Sequence, residues 1–153
     1  MSYLFKFEDD FVSSLRCIPM VVRYKLDTCG IKLKLAHWNQ FPLSVRQQLV
    51  QQPTETPEDI STYRNLLQDL ASKYTDIPLK DLPVDSQPPW LDASQIPEAV
   101  QNKAAETNLE ISVQQWQKLT PIQRFALIKL SRSSHENANF IPAIKEFNLT
   151  DAG

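Results

Sequence analysis

The sequence has little glycine, little cysteine and no long apolar run, and each shortage excludes something. Only two glycines, Gly30 and Gly153, accompany eleven prolines in 153 residues. Tight hairpins and βαβ crossovers draw on glycine at their turns, so helices separated by proline stops fit this composition better than a sheet. With so few glycines there is no glycine-rich loop to cradle a phosphate, and no nucleotide cofactor is implied. Two cysteines, Cys17 and Cys29, are too few for a disulfide framework, so free and mostly buried thiols are expected. The apolar runs fall far short of the roughly 20 residues that a membrane helix needs, which predicts no membrane contact. Met1 to Asp10 lacks the basic start, apolar middle and small-residue cleavage site of a secretory signal, so the cytoplasm is the expected compartment. The net charge of −2 provides no overall field for nucleic acid.

What is present is ordinary for a folded chain: 42% apolar and 22% charged residues. A chain of this length can bury one core, so a single domain over residues 1–153 is expected. Its clearest feature is internal. Ile18 to Leu49 aligns without a gap on Ile96 to Leu127 at the separation of Trp38 from Trp116. Ile18 meets Ile96, Pro19 meets Pro97, Val22 meets Val100, Lys25 meets Lys103, Arg46 meets Arg124 and Leu49 meets Leu127. Gly30 faces Asn108, and these are the residue types that most readily adopt the left-handed conformation ending a helix. The expected fold is therefore all-α: two diverged helical repeats, about 18–70 and about 96–147, joined by a proline-rich extended connector at about 77–95.

Each repeat reads as a helix that starts at Pro19 or Pro97 and stops at Gly30 or Asn108. The alternating stretch that follows, Ile31 to Leu35 or Leu109 to Val113, could be a strand. Ser112 with Gln115 instead makes a capping box, which favours a short helix carrying Trp116. Thr120-Pro121-Ile122-Gln123 starts a further helix in the same way. Thr56-Pro57-Glu58-Asp59 combines an N-cap, a proline and two acids at the positive end of a helix whose Ile60, Tyr63, Leu66, Leu67 and Leu70 recur at helical spacing. Beyond Ser134 the periodicity weakens, and Pro142 predicts a break or a fresh start. The connector's Leu79, Leu82, Val84, Trp90 and Leu91 alternate with prolines, so it is expected to lie extended along the surface.

The candidates for chemistry are weak. Cys17, Cys29, His37 and His135 are possible metal ligands, but no pair has a spacing that puts two ligands on one turn. Buried thiols and ordinary imidazoles fit better, so no metal is expected. Nucleophilic catalysis would need a base beside a cysteine or serine. The second repeat replaces Cys29 by Thr107 and His37 by Gln115, and no catalytic residue is proposed. Glu8, Asp9 and Asp10 read as a solvated helix start. Two helices joined by a short turn resemble a helix-turn-helix DNA reader, but the third helices are rich in glutamine and the net charge is negative, so no nucleic acid is expected. The Trp38/Arg46 and Trp116/Arg124 pairs suit an aromatic anchor with an arginine stem laid over it.

One charge feature stands out. Arg16, Arg23, Lys25, Lys32 and Lys34 face only Asp27 within the same segment of an otherwise acidic chain. A solvated face is the plain reading, and a docking patch for an acidic partner is the sharper one. Because Arg23, Lys32 and Lys34 align with Gln101, Glu110 and Ser112, the basic character belongs to the first repeat alone.

Leu15 to Leu33, preceded by Phe5 to Phe11, resembles the opening block of the nitrate reductase associated protein family, found chiefly in cyanobacteria. The likeness runs on through Trp38, Thr56-Pro57-Glu58 and Pro88-Pro89-Trp90 to Trp116 and Arg124, nearly the whole chain. It implies a cytoplasmic, non-enzymatic accessory protein needed for assimilatory nitrate reductase to be active, with the reductase or an assembly intermediate as partner. It brings no catalytic residues and no cofactor. Two other readings are a metal- or redox-linked maturation factor using Cys17 and Cys29, and a helical DNA-binding regulator.

Overall fold

Prolines and polar caps start the helices where the local pattern predicts. The computed structural model describes residues 5, 15, 17–132, 140–147 and 149. Glu8 to Asp10, Arg16 and His135 lie outside the described residues. The described part forms eight α-helices, a 3-10 helix and one two-stranded sheet. It groups into two compact units, residues 1–85 and 86–153.

The first unit holds α1 (Met20–Cys29), β1 (Ile31–Lys32), α2 (Leu35–Gln40), α3 (Leu43–Gln51), α4 (Pro57–Tyr74) and β2 (Lys80–Asp81). Helix α1 starts after Pro19 and stops at Gly30, whose φ of 76° is the left-handed turn expected there. Gly30 is needed twice over. A Cβ on it would lie 2.6 Å from Val84 Cγ2 and 3.0 Å from the Leu82 carbonyl oxygen, so both the backbone angle and the close approach demand glycine. The Thr56 hydroxyl accepts the Asp59 N–H at 3.0 Å, and the Asp59 carboxylate accepts the Thr56 N–H at 3.2 Å, which fixes the start of α4. Helix α1 packs on α3 and α4, and α2 packs on α4. Val22, Trp38, Leu49, Tyr63 and Leu67 are fully buried at the centre of this unit.

The stretch after Gly30 departs from the helical reading. Ile31 and Lys32 pair antiparallel with Asp81 and Lys80 respectively. The expected helix begins only at Leu35. The connector therefore does not simply lie extended: its first half adds a strand to the first unit, and its second half folds with the other.

The second unit holds the 3-10 helix Pro89–Leu91, α5 (Glu98–Glu106), α6 (Val113–Lys118), α7 (Pro121–Arg132) and α8 (Phe140–Glu146). Asn108, with φ 61°, takes the left-handed conformation after α5. Both second-unit boxes form. Gln115 N–H reaches the Ser112 hydroxyl at 3.1 Å and Gln123 N–H the Thr120 hydroxyl at 3.3 Å, each glutamine accepting the return bond at 2.9 Å. Helix α7 buries Arg124, Phe125, Ala126, Leu127, Ile128 and Leu130 and packs on the 3-10 helix, α5 and α8. Trp90 meets Phe125 edge-on at 5.0 Å, which is why the proline-rich segment folds back instead of trailing. Pro142 sits in the first turn of α8, a fresh helix start where its missing N–H costs nothing.

Candidate functional site

Of the five basic residues singled out in the sequence, those described are not all on the surface. Arg16 lies outside the described residues, Arg23 is half-buried on α1, and Lys32 and Lys34 are exposed. Lys25 is a correction. It is only 7% exposed, and its Nζ donates to the carbonyls of Val50 and Gln52, both at 2.6 Å. Those carbonyls belong to the C-terminal end of α3, which a cation suits. Tyr63 completes the arrangement by donating its hydroxyl to the Leu49 carbonyl at 2.8 Å, with the Lys25 ammonium 5.9 Å from its ring centroid. Burial pulls the Lys25 pKa from 10.5 down to about 8, against the opposing attraction of Glu55. Burial also raises the Tyr63 hydroxyl well above its ordinary value. A signal for this was present in the sequence: Val22, Lys25 and Cys29 recur at helical spacing on the apolar stripe of α1.

The other candidates for chemistry are likewise engaged as scaffold. His37 is buried; its Nδ1 accepts the Lys34 N–H at 3.0 Å and its Nε2 lies 3.1 Å from the Ile77 carbonyl. Nδ1 being an acceptor, the proton sits on Nε2 and is donated to Ile77. The imidazole thus performs at the start of α2 the task that Gln115 performs at the start of α6. Arg46 donates to the carbonyls of Trp38, Asn39 and Phe41 at 3.1 to 3.3 Å and to that of Leu15 at 3.2 Å, closing the end of α2. Its guanidinium stands 6.0 Å from the Trp38 ring centroid. The Trp38 indole donates to the Leu15 carbonyl at 2.6 Å, and the Trp116 indole donates to the Asp92 carbonyl at 3.1 Å.

The two cysteines have different surroundings. Cys29 is buried and Cys17 exposed, which corrects the expectation that both are mostly buried. Burial pushes the Cys29 thiol up to about 11, so little of it is the thiolate that metal binding or redox exchange requires. Among the described residues no three His, Cys, Asp or Glu side chains are grouped to hold a metal ion. An open groove of about 560 Å³ in the second unit is lined by Gln87, Pro89, Leu91 and Asp92, among others. Hydrogen bonds from Ser94 hold the Asp92 carboxyl below its ordinary range, and the groove's lining is mainly amides and prolines, with the Ser86 hydroxyl and the Asp92 carboxyl among them.

The sheet brings in a residue the sequence reading missed. Lys80, exposed in the connector, is the direct cross-strand partner of Lys32. Nothing in its local pattern, Leu79-Lys80-Asp81-Leu82, marks it. Asp81 beside it is engaged by Arg64 of α4.

The family model of the conserved nitrate reductase-associated protein matches residues 4–147. The chain belongs to that family. The match spans almost all of both units, and the family's description names association with nitrate reductase and not the reductase itself. No curated protein and no solved structure matches the chain. Among the described residues of this family member, no helix is long and apolar enough to cross a membrane.

Proposed function

We propose that the chain is a non-enzymatic accessory protein that binds assimilatory nitrate reductase, or an intermediate in its assembly, and is required for the reductase to be active. The observation that carries this reading is the family match over residues 4–147. The use of Lys25, His37 and Arg46 as internal hydrogen-bond donors and acceptors supports it, because the side chains best suited to chemistry are already committed to holding helix ends. The same reading has the protein act in the cytoplasm.

Deleting the gene and measuring reductase protein and reductase activity separately tests it. The expected outcome is normal reductase protein with activity lost, restored by the wild-type chain. Full activity in the deletion strain would falsify the proposal, and loss of the reductase protein itself would move the role to synthesis or turnover.

A further inference from the structure

We infer that the exposed face of the β1–β2 ribbon, carrying Lys32, Lys34 and Lys80, is a docking surface for a carboxylate-rich segment of a protein partner. The inference rests on the accessory-binding reading above and adds to it the place and the chemistry of contact.

Residues 31 to 34 alternate buried, exposed, buried, exposed, with Ile31 and Leu33 turned in and Lys32 and Lys34 turned out. Lys80 faces Lys32 directly across the ribbon. Directly opposed residues of an antiparallel pair project to the same side, so the three amines share one face. Among the described residues none of the three takes part in an ion pair. The nearest acid in the strand, Asp81, pairs with Ile31 and so projects to the other side, where Arg64 Nη2 bonds its carboxylate.

Like charges set directly opposite one another weaken a two-stranded sheet. This ribbon is held by other means. The Leu82 N–H donates to the Gly30 carbonyl at 2.9 Å, and Arg64 Nη1 donates to the carbonyls of Cys29 and Gly30 at 3.0 and 3.1 Å. The amines therefore stand on a backbone fixed from α4 and do not contribute to fixing it. A basic face that makes no ion pair among the described residues, on a chain of net charge −2, suits steering and register with an acidic partner. Two lysines on two short strands and a third, Lys34, just beyond β1, with no arginine fork among them, make a poor track for a nucleic-acid backbone.

Lys80→Glu is the decisive variant, because Lys80 joins this face only through the ribbon. Opposite Lys32 it replaces a repulsive pair by an attractive one, so its melting temperature should equal or exceed that of the wild type. Binding to purified nitrate reductase at low salt should nevertheless weaken about fivefold, and the difference should close at high salt. Lys118→Glu, an equal charge change at an exposed residue of the second unit, should bind as wild type, and polyglutamate should compete for the wild-type chain. Wild-type binding that Lys80→Glu leaves unchanged overturns the ribbon assignment alone. Failure of the wild type to bind the reductase at all overturns the accessory-binding reading beneath it. Duplex DNA binding that is lost in Lys80→Glu, with reductase binding intact, also overturns the inference, since the face would then serve a different class of partner.

Discussion

At the end of α3, a lysine and a tyrosine from two other helices meet carbonyls that the helix itself cannot satisfy. Lys25 serves Val50 and Gln52, and Tyr63 serves Leu49. Taking an ammonium out of water for this purpose has a signature in pH. The folded pKa of Lys25 lies at about 8, below the ordinary 10.5. Between those values the unfolded chain holds more protons at this site than the folded one, so the site's contribution to stability rises with pH. That contribution is complete above 10.5 and is lost as pH falls through about 8. Comparing wild type with Lys25→Met isolates it from the opposing titration of Cys29. The stability of the wild type relative to the variant should increase between about pH 7.5 and about pH 9 by up to ~1 kcal/mol, discounted for solvent screening. Urea unfolding at the two pH values measures this, and a pH-independent difference would show that the ammonium is not desolvated. The place of Lys25 on the apolar stripe of α1 was readable, but its partners depend on α3 ending beside it, which no local pattern contains.

At the scale of elements, the starts and stops of helices follow short-range chemistry and were legible. Thr56, Ser112 and Thr120 all cap as their spacing to Asp59, Gln115 and Gln123 predicts. Thr120→Ala removes the acceptor for the Gln123 N–H at the head of the buried helix α7, and a loss of about 1 kcal/mol is expected by chemical denaturation. Thr120→Ser should recover most of it; no recovery would mean that the methyl group and not the hydroxyl matters. The strand at Ile31–Lys32 was not predicted, because two residues carry too little pattern to outweigh the helix signal beyond them. It forms because residues 80–82 arrive alongside and accept and donate the backbone bonds that Gly30 and its neighbours leave open. We read α1 to α3 and α5 to α7 as diverged copies of one helical unit. The left-handed stops at Gly30 and Asn108, and indole bonds to a carbonyl preceding each first helix, fit that reading.

For the molecule as a whole, the chain groups into two compact units that divide inside the proline-rich segment. The segment's two halves have different roles: Lys80–Asp81 completes a ribbon in the first unit, while Trp90 packs on Phe125 in the second. The thiols give a test at this scale of the competing metal- and redox-linked reading. A disulfide-exchange reagent at neutral pH should label one cysteine per native chain quickly, the exposed Cys17, and reach Cys29 only on unfolding. Prolonged dialysis against a chelator should leave the melting temperature unchanged. Fast labelling of both thiols, or a melting temperature that drops with chelation, would favour the redox or metal reading over the accessory one.

Composition and local spacing determined the helical class, the caps, the left-handed turns at Gly30 and Asn108 and the fresh helix start at Pro142. These are outcomes of backbone sterics and hydrogen bonds that close within a few residues, so they can be read along the chain. Tertiary structure alone decided that Lys25 meets the carbonyls of Val50 and Gln52, that His37 reaches Ile77, and that Lys80 stands beside Lys32. Each depends on segments tens of residues apart meeting in space. Such meetings are set by the packing of whole helices, and side-chain type by itself carries no record of them.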